Sequence, residues 1–172
     1  MAESSALVSI LMGSDSDLEV MNEAARALEE FGVAYEMDVT SAHRSPERTR
    51  RIVNDAPSRG VRVFIVGAGA AAHLAGVVAA ESTLPVIGVP LDASALRGVD
   101  ALYATVQMPA GIPVATMAIG KAGATNAAIF AVEILAVADP GLRAKLQEHK
   151  RKLADGVERK SASLHERLRA GK

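Results

Sequence analysis

The chain has 172 residues, of which 49% are apolar and only 3% aromatic, so any core must be built mainly from Ala, Val, Ile and Leu. Its 19 basic and 20 acidic residues leave a formal net charge of −1, which excludes a long-range field that would attract nucleic acid or an anionic membrane. The absence of cysteine excludes disulfides, thiolate nucleophiles and cysteine-ligated zinc.

Neither a signal peptide nor a membrane span is predicted. The N-terminus lacks the basic region and the long apolar region of a signal peptide. The most apolar stretch, residues 127–138, contains Glu133 and is too short to cross a bilayer, which takes about 20 residues. We therefore expect a cytoplasmic protein.

The chain opens with a strand followed by a helix. An apolar run over residues 6–12 predicts a buried strand that stops at Gly13. Apolar residues then recur at helical spacing from Asp17 onward, and Gly32 stands where a C-terminal cap is expected. This segment predicts an amphipathic helix.

The same alternation continues twice more along the chain. A strand is predicted over 33–39, and a helix over 47–56 with Ser45 as its N-cap ahead of Pro46. A third strand over 61–66 leads into a glycine-rich loop. The later predicted elements are a helix over 72–81 and strands over 85–89 and 114–119.

Strands separated by helices form βαβ units, which assemble into a parallel sheet covered on both faces. The sequence therefore predicts an α/β fold, a flavodoxin-like doubly wound three-layer sandwich with a central parallel sheet of about five strands. Ligands of such sheets bind outside the carboxyl ends of the strands. We expect one domain over residues 1–172, with a core over about 6–138.

Two helical segments close the chain. Residues 126–137 are apolar nearly all round, which predicts burial on more than one side and hints at oligomerisation. The segment from Pro140 to about Leu168 mixes leucines with many charges, which predicts a half-buried helix or pair of helices. This C-terminal helical arm is placed at about 139–170.

The loop after the first predicted strand, Gly13 to Asp17, has the features of an anion site. Free backbone N–H groups and the helix dipole favour a negative charge at such a helix start. The hydroxyls of Ser14 and Ser16 can donate to phosphate oxygens, whereas Asp17 suits the hydroxyls of a sugar. The prediction is a ribose phosphate ligand. The structural alternative is that Ser16 or Asp17 only caps the helix.

A second polar loop follows the second predicted strand, and in a doubly wound sheet it lies beside the first. Arg44 can hold a phosphate with two hydrogen bonds, and Ser41 can donate to the same group. His43 would then lie near whatever the phosphate anchors, where it can exchange protons. The alternative is a loop histidine that only hydrogen-bonds backbone.

The third loop carries glycines that let the backbone approach a planar ligand, so Gly69 is a candidate contact. His73 is expected to face the same pocket or to cap the next helix. The spacing Gly67-x-Gly69-x-x-Ala72, with Asp92 beyond it, also resembles a dinucleotide fingerprint. That fingerprint normally follows the first strand, and the chain has no room for a separate catalytic domain. No third ligand accompanies the two histidines, so no metal is predicted.

Six ordered segments resemble one family, the class I N5-carboxyaminoimidazole ribonucleotide mutases of bacterial purine biosynthesis, also known as the catalytic subunit of phosphoribosylaminoimidazole carboxylase. The resemblance runs from about Val8 to Leu135. The segments are Met12–Asp17, Ser41–Arg44, Gly67–Gly69 with Ala71–Leu74, Gly98–Asp100, Val106–Pro109 and Ala118–Gly123.

The resemblance implies a reaction that moves a carboxylate from N5 to ring carbon C4 of aminoimidazole ribonucleotide, with no cofactor, metal or ATP. His43 is implied as the catalytic acid and base, and the ribose phosphate is bound by Ser14, Asp17 and Arg44 with help from Ser16 and Ser41. In the hypothesised route, CO₂ leaves N5 as His43 protonates the imidazole, C4 attacks the trapped CO₂, and His43 removes the C4 proton. His73 would help to position the carboxylate.

The resemblance also implies partners. The family's members are homo-octamers, which would account for the apolar helix and the C-terminal arm. Their pathway neighbour is the ATP-dependent carboxyaminoimidazole ribonucleotide synthase. Apart from the ribonucleotide and copies of itself, no nucleic acid or membrane partner is expected.

Three positions depart from the family's pattern, which usually has Gly, Pro and Thr where Ala70, Ala75 and Ser45 stand. Class II relatives carboxylate aminoimidazole ribonucleotide directly with CO₂ and usually have Lys after the catalytic His, so Arg44 favours class I. Three alternatives stay open: the class II activity, a nucleotide-binding flavodoxin-like module without chemistry, and an NAD-binding module.

Overall fold

The computed structural model describes residues 5–171. The chain divides into two compact units, one ending at Val132 and the other beginning at Glu133. The first unit contains a five-stranded sheet in which every neighbouring pair is parallel. Its strands are β1 (Val8–Met12), β2 (Tyr35–Val39), β3 (Val63–Gly69), β4 (Val86–Leu91) and β5 (Ala115–Thr116).

The strand order β2-β1-β3-β4-β5 is that of flavodoxin-like doubly wound sheets, which confirms the predicted fold class. The predicted strand bounds differ by one or two residues at β1, β2 and β4 and by more at β3 and β5. β3 does not stop at Val66 but continues through Gly69, and β5 keeps only two residues of the predicted run 114–119. The register pairs Met12 with both Val39 and Gly67. The loops that leave β1, β2 and β3 therefore start at the same edge of the sheet.

The helices are α1 (Leu18–Phe31), α2 (Pro46–Asp55), α3 (Leu74–Glu81), α4 (Val99–Val106), α5 (Lys121–Ala136) and α6 (Pro140–Ala170). The first ends at Gly32, whose φ of 68° is the left-handed cap that the sequence predicted. Short 3₁₀ turns at Asp15–Asp17 and Pro57–Arg59 flank α1 and α2. α5 begins five residues earlier than predicted, directly after Gly120, whose φ is 76°.

α4 lies between the last two strands, where no helix was predicted from the sequence. The residues that α4 buries are Ala101 and Thr105, whereas Val99 and Tyr103 are about half exposed, at 47% and 62%. The larger apolar side chains thus lie on the solvent side of this chain, which is the reverse of the pattern that identifies a surface helix. The amphipathic signal is therefore missing.

Opposite faces of the sheet are covered by different helices. On one face, the side chain of Met21 from α1 lies over Gly67 of β3. On the other face, Phe64 of β3 belongs to a buried cluster with Val53 of α2 and Val78 of α3. This arrangement gives the three layers that were predicted, with the sheet in the middle.

The second unit is dominated by α6, a single helix of 31 residues where one or two helices were predicted. Asp139 is its N-cap, and its carboxylate accepts from the N–H groups of Gly141 at 2.8 Å and Leu142 at 3.1 Å. Leu142 and Leu146 are buried, but the apolar side chains farther along α6 are exposed: Leu153, Val157, Leu164 and Leu168. Within residues 5–171, none of the helices is long and apolar enough to cross a membrane.

Candidate active site

A cavity of about 350 Å³ opens at the carboxyl edge of the sheet. It lies where the loops after β1, β2 and β3 meet, which is the place that doubly wound folds use for ligands. All eight site residues predicted from the sequence line it: Ser14, Ser16, Asp17, Ser41, His43, Arg44, Gly69 and His73. The structure thus brings the predicted residues together, and their individual roles stay predictions.

The first loop is organised around Ser14 and Asp17. Ser14 is the N-cap of the 3₁₀ turn, where its hydroxyl accepts from the N–H of Ser16 at 3.3 Å and the Asp17 carboxylate accepts from the N–H of Ser14 at 3.1 Å. This reciprocal pair is a capping box. The structural alternative considered for this loop is therefore present, with Ser14 rather than Ser16 or Asp17 as the side chain that caps.

The capping box leaves side-chain groups of this loop able to form hydrogen bonds with a ligand. The hydroxyl of Ser16 lies 2.9 Å from that of Ser14, and both side chains line the cavity. A hydroxyl carries one donor and two acceptor sites, and its hydrogen can rotate toward an incoming phosphate. Asp17 likewise has a second carboxylate oxygen that can accept from a sugar hydroxyl.

Asp17 is the buried acidic residue of this cavity, with 9% of its surface exposed. Burial raises the pKa of its carboxyl above the usual 3.8, and the neighbouring charge of Asp15 acts in the same direction. Hydrogen bonds from the N–H groups of Ser14 and Gly13 pull the pKa the other way but are the weaker effect. The carboxyl of Asp17 therefore keeps its proton to a higher pH than an exposed aspartic acid does.

Arg44 connects the second loop to the first. Its Nη2 donates to the carbonyl oxygen of Gly13 at 3.1 Å, and its Nε lies 3.5 Å from the hydroxyl oxygen of Ser41. The hydroxyl of Ser41 also accepts from the backbone N–H of Arg44 at 3.1 Å. The guanidinium is thus positioned across both loops, beside the hydroxyls of the first.

Ser45 occupies the predicted N-cap position of α2 but does not cap with its side chain. Its hydroxyl accepts from the N–H of Ser41 at 3.1 Å and donates to the carbonyl of Ser41 at 3.2 Å. The predicted capping interaction is therefore wrong. The Ser45 side chain instead closes a tight turn from Ser41 to Ser45. His43 and Arg44 lie within this turn.

His43 and His73 are in direct contact. Nε2 of His43 lies 2.8 Å from Nδ1 of His73, and the rings are nearly perpendicular at 84°. His73 stands at the N-cap position of α3 without a capping hydrogen bond from its side chain. Of the two places predicted for this side chain, the structure thus shows it in the pocket.

Gly67 and Gly69, at the end of β3, have different structural roles. A Cβ at Gly67 would lie 2.4 Å from Sδ of Met21, so this glycine is needed for packing beneath the sheet and not for a ligand. Gly69 lines the cavity, but a Cβ there would lie 2.4 Å from Cβ of Ala93. The fingerprint pattern of Gly67 and Gly69 therefore reflects close packing at the end of β3, which removes the basis for the dinucleotide alternative.

Several apolar residues of the site were not predicted as contacts. Ala42, Ala68, Ala70, Ala71, Leu74 and Ala93 complete the lining of the cavity. Ala70 has a φ of 52°, in the left-handed region that favours glycine. Single alanines carry no chemical signal in a sequence. Ala93 comes from the loop after β4, where only Asp92 was considered, as part of the dinucleotide fingerprint.

The lining combines a cation, a buried carboxylate, three hydroxyls and two imidazoles with small apolar walls. Such a set can bind an anion and a sugar and can move a proton. Among residues 5–171 no group of three or more His, Cys, Asp or Glu side chains is arranged to hold a metal ion.

The fold and cavity define a flavodoxin-like α/β protein with a polar cavity at the carboxyl edge of its sheet. Within this class, the family model for AIR carboxylase matches residues 7–156. The chain therefore belongs to the AIR carboxylase family, which confirms the family predicted from the six segments.

Individual relatives agree with this assignment. The chain is 52% identical over 160 residues to the N5-carboxyaminoimidazole ribonucleotide mutase of Pyrococcus horikoshii, covering 93% of this chain and 89% of that protein. It is 52% identical over 144 residues to the Bacillus subtilis protein of the same name, covering 84% and 89%. The crystal structure of Treponema denticola PurE superposes with a TM-score of 0.84 at 27% identity, covering 92% of this chain and 98% of that one.

Proposed function

We propose that this chain is an isomerase of purine biosynthesis, which converts N5-carboxyaminoimidazole ribonucleotide to 4-carboxy-5-aminoimidazole ribonucleotide with His43 as acid and base. One observation carries the proposal. His43 and the hydroxyl-rich loop Gly13–Asp17 line the same cavity, in a chain about half identical to relatives that bear the name of this mutase. Substrate anchoring and proton exchange can therefore take place within one site.

The phosphate binds at the junction of the first two loops. Ser14, Ser16 and Ser41 turn their hydroxyls to its oxygens, and Arg44 supplies the positive charge. The support for this placement is the position of the Arg44 guanidinium, which already lies within hydrogen-bonding distance of both loops. Asp17 accepts from a ribose hydroxyl, since its carboxylate would repel the phosphate.

Anchoring the ribose phosphate leaves the imidazole ring beside His43, where the carboxylate is transferred. As CO₂ leaves N5, His43 gives its proton to the aminoimidazole, and the N–C bond electrons stay on the nitrogen. C4 then attacks the carbon of CO₂, and His43 takes the proton that C4 loses. The enzyme ends with the proton it started with, so neither a cofactor nor ATP is consumed.

The freed CO₂ must not escape between the two steps. The third loop contributes a wall of small residues to the cavity, Gly69, Ala70 and Ala71. In the proposed route this wall surrounds the linear CO₂ and excludes water from it. His73 lies at this wall, beside His43, and can orient the carboxylate as it forms.

We extend the proposal to assembly and location. The enzyme acts as a homo-octamer in the cytoplasm, and the synthase that makes its substrate with ATP is its pathway neighbour. Exposed apolar side chains support association between copies. They are Leu96 in the loop before α4, Val99, Tyr103 and Val106 of α4, and four more on α6. Analytical ultracentrifugation should give eight times the chain mass of 17.9 kDa.

The family match spans residues 7–156 and so includes parts of both compact units. This supports one mutase domain over 1–172.

The direct test is incubation of the purified protein with N5-carboxyaminoimidazole ribonucleotide, without ATP or bicarbonate. Formation of the C4-carboxylated isomer is expected, and folded protein that does not form it would contradict the proposal. Aminoimidazole ribonucleotide with CO₂ serves as the second substrate, and a faster reaction with it would instead favour the class II activity.

A matched pair of variants tests the role of His43. His43→Asn should lower kcat by about 10²- to 10⁴-fold, the usual contribution of general acid–base catalysis. His165→Asn changes an exposed histidine of α6 and should leave kcat unchanged. Turnover that survives in a folded His43→Asn protein would exclude the acid–base role.

A further inference from the structure

The contact between the two histidines of the cavity constrains where their protons lie. A neutral imidazole has one N–H and one bare nitrogen, so a hydrogen bond between two rings needs the N–H of one and the bare nitrogen of the other. The 2.8 Å separation of His43 Nε2 and His73 Nδ1 therefore places one shared proton between them. The ring nitrogen of His43 outside this bond is Nδ1.

The position of that shared proton determines what His43 can do at Nδ1. When the proton is on Nε2 of a neutral His43, Nδ1 is bare and acts as a base. When it is on Nδ1 of His73, a neutral His43 carries its own proton on Nδ1 and acts as an acid. The hydrogen bond thus couples the acid and base forms of His43 to the protonation of its neighbour.

We infer that His73 is a positioning residue that shares one proton with His43 and thereby sets which nitrogen of His43 exchanges protons with the substrate. The inference rests on the proposed mutase function. It assigns His73 a task that acts through His43, in addition to any contact with the carboxylate.

The proton balance of the reaction fits such a pair. The proposed route requires the pair to carry one extra proton when it acts as the acid, so that both outer nitrogens and the shared position are occupied. His43 Nδ1 gives its proton to the substrate while the shared proton moves from His73 Nδ1 to His43 Nε2. Both moves reverse when the C4 proton returns to Nδ1. The positive charge thus resides on His73 whenever His43 holds the substrate proton, and no imidazolium of His43 has to form.

The other charged groups of the cavity have different hydrogen-bond partners. Arg44 donates to the carbonyl of Gly13 and approaches the hydroxyl of Ser41, and Asp17 accepts from the N–H of Ser14. The group that contacts His43 Nε2 is therefore the imidazole of His73, which makes it the residue to change.

Two substitutions separate positioning from bulk. His73→Phe keeps a ring of similar size but has no nitrogen, so the hydrogen bond is lost. His73→Asn places an amide near the former Nδ1, where it can still bond to His43 Nε2. We expect kcat to fall by about 10- to 100-fold in His73→Phe. This is a part of the rate enhancement of about 10²- to 10⁴-fold that acid–base catalysis contributes. KM should change by less than about three-fold. His73→Asn should recover a substantial part of kcat.

The tautomer of His43 provides a readout that does not depend on turnover. In ¹⁵N NMR spectra of the ligand-free protein, the chemical shifts of the two imidazole nitrogens of His43 report its tautomer. We expect the shifts of one hydrogen-bonded tautomer, which the contact with His73 stabilises. In His73→Phe they should shift toward the average of two tautomers, whereas His165→Phe in α6 should leave them unchanged.

The outcomes distinguish this inference from the proposed function. If the wild-type protein turns over and His43→Asn does not, but His73→Phe keeps wild-type kcat and an unchanged His43 spectrum, the inference is overturned and the mutase function stands. A rise in KM with unchanged kcat in His73→Phe would also overturn it, because His73 would then only bind substrate. If the wild-type protein does not turn over, the mutase function fails, and the NMR comparison still decides whether the proton is shared.

Discussion

The guanidinium of Arg44 donates a hydrogen bond of 3.1 Å to the backbone carbonyl of Gly13, although the two residues lie in loops that follow different strands of the sheet. Because Arg44 also approaches the hydroxyl of Ser41, one side chain spans the loops after β1 and β2. The cavity between these loops therefore has its positive charge fixed in place before any ligand binds, which lowers the ordering cost of binding an anion.

Replacing Arg44 with Lys keeps the charge but removes the fork that can make two hydrogen bonds. We expect KM to rise by about 10- to 100-fold, because a hydrogen bond to a charged group contributes about 1.5–3 kcal/mol. Steady-state kinetics measure the change. Arg48→Lys is the matched control, since Arg48 lies in α2 and pairs with Asp38 at 2.7 Å. Equal KM values for the two variants would rule out phosphate binding by Arg44.

The buried carboxyl of Asp17 should make stability depend on pH. Because burial raises its pKa in the folded protein above 3.8, the folded state binds this proton more tightly than the unfolded state does. The contribution of Asp17 to the free energy of unfolding is therefore highest below 3.8 and falls as the pH rises through the folded-state pKa. Urea denaturation at several pH values should show wild type losing stability relative to Asp17→Asn across this window.

A second variant tests the smallest of the named contributions to that shift. Burial is the main reason that the pKa of Asp17 is raised, and the negative charge of Asp15 adds to it, so Asp15→Asn should lower the pKa of Asp17 only slightly. Following the Asp17 carboxyl carbon by NMR during a pH titration gives the answer. A pKa of Asp17 at or below 3.8 in the wild-type protein would contradict the prediction.

Gly67→Ala should destabilise the fold by about 1–3 kcal/mol, the usual cost of overpacking a core. The new Cβ would lie 2.4 Å from Sδ of Met21, whose side chain is fully buried and would have to shift within the core. Gly156→Ala is the control, because this helical glycine of α6 has its nearest neighbouring atom at 3.9 Å. That change should stabilise the protein by up to about 1 kcal/mol. Thermal or urea unfolding measures both, and equal signs would refute the packing argument.

Ala70→Gly should stabilise the protein by about 0.5–1 kcal/mol. An alanine with a φ of 52° is strained by about 1–2 kcal/mol, whereas the greater freedom of glycine in the unfolded chain offsets about 0.5–1 kcal/mol of the relief. Ala71→Gly, at a neighbour outside the left-handed region, should instead destabilise by about 0.5–1 kcal/mol. Urea unfolding of the two variants compares them, and a destabilised Ala70→Gly would show that the loop does not hold this strain.

Local patterns were sufficient for most of the architecture. The apolar runs that became β1 to β4 and the helical spacing from Asp17 follow from side-chain periodicity, which is a property of neighbouring residues. α4 escaped prediction because its exposed face carries the larger apolar side chains. The early end assigned to β3 has a similar cause, since Gly67 and Gly69 look like turn residues until their close packing against Met21 and Ala93 is known.

The gathering of the candidate site residues was likewise predictable from the sequence, because hydroxyls, a guanidinium and an imidazole placed after predicted strands lie at one edge of a parallel sheet. Distances between loops could not be read in this way. The 2.8 Å contact of His43 with His73, 30 positions apart, depends on where β2 and β3 end and on how α3 begins. So does the contribution of Ala93 to the cavity. Periodicity and residue type act locally, whereas the pairing of two side chains from separate loops is set by the packing of the whole sheet.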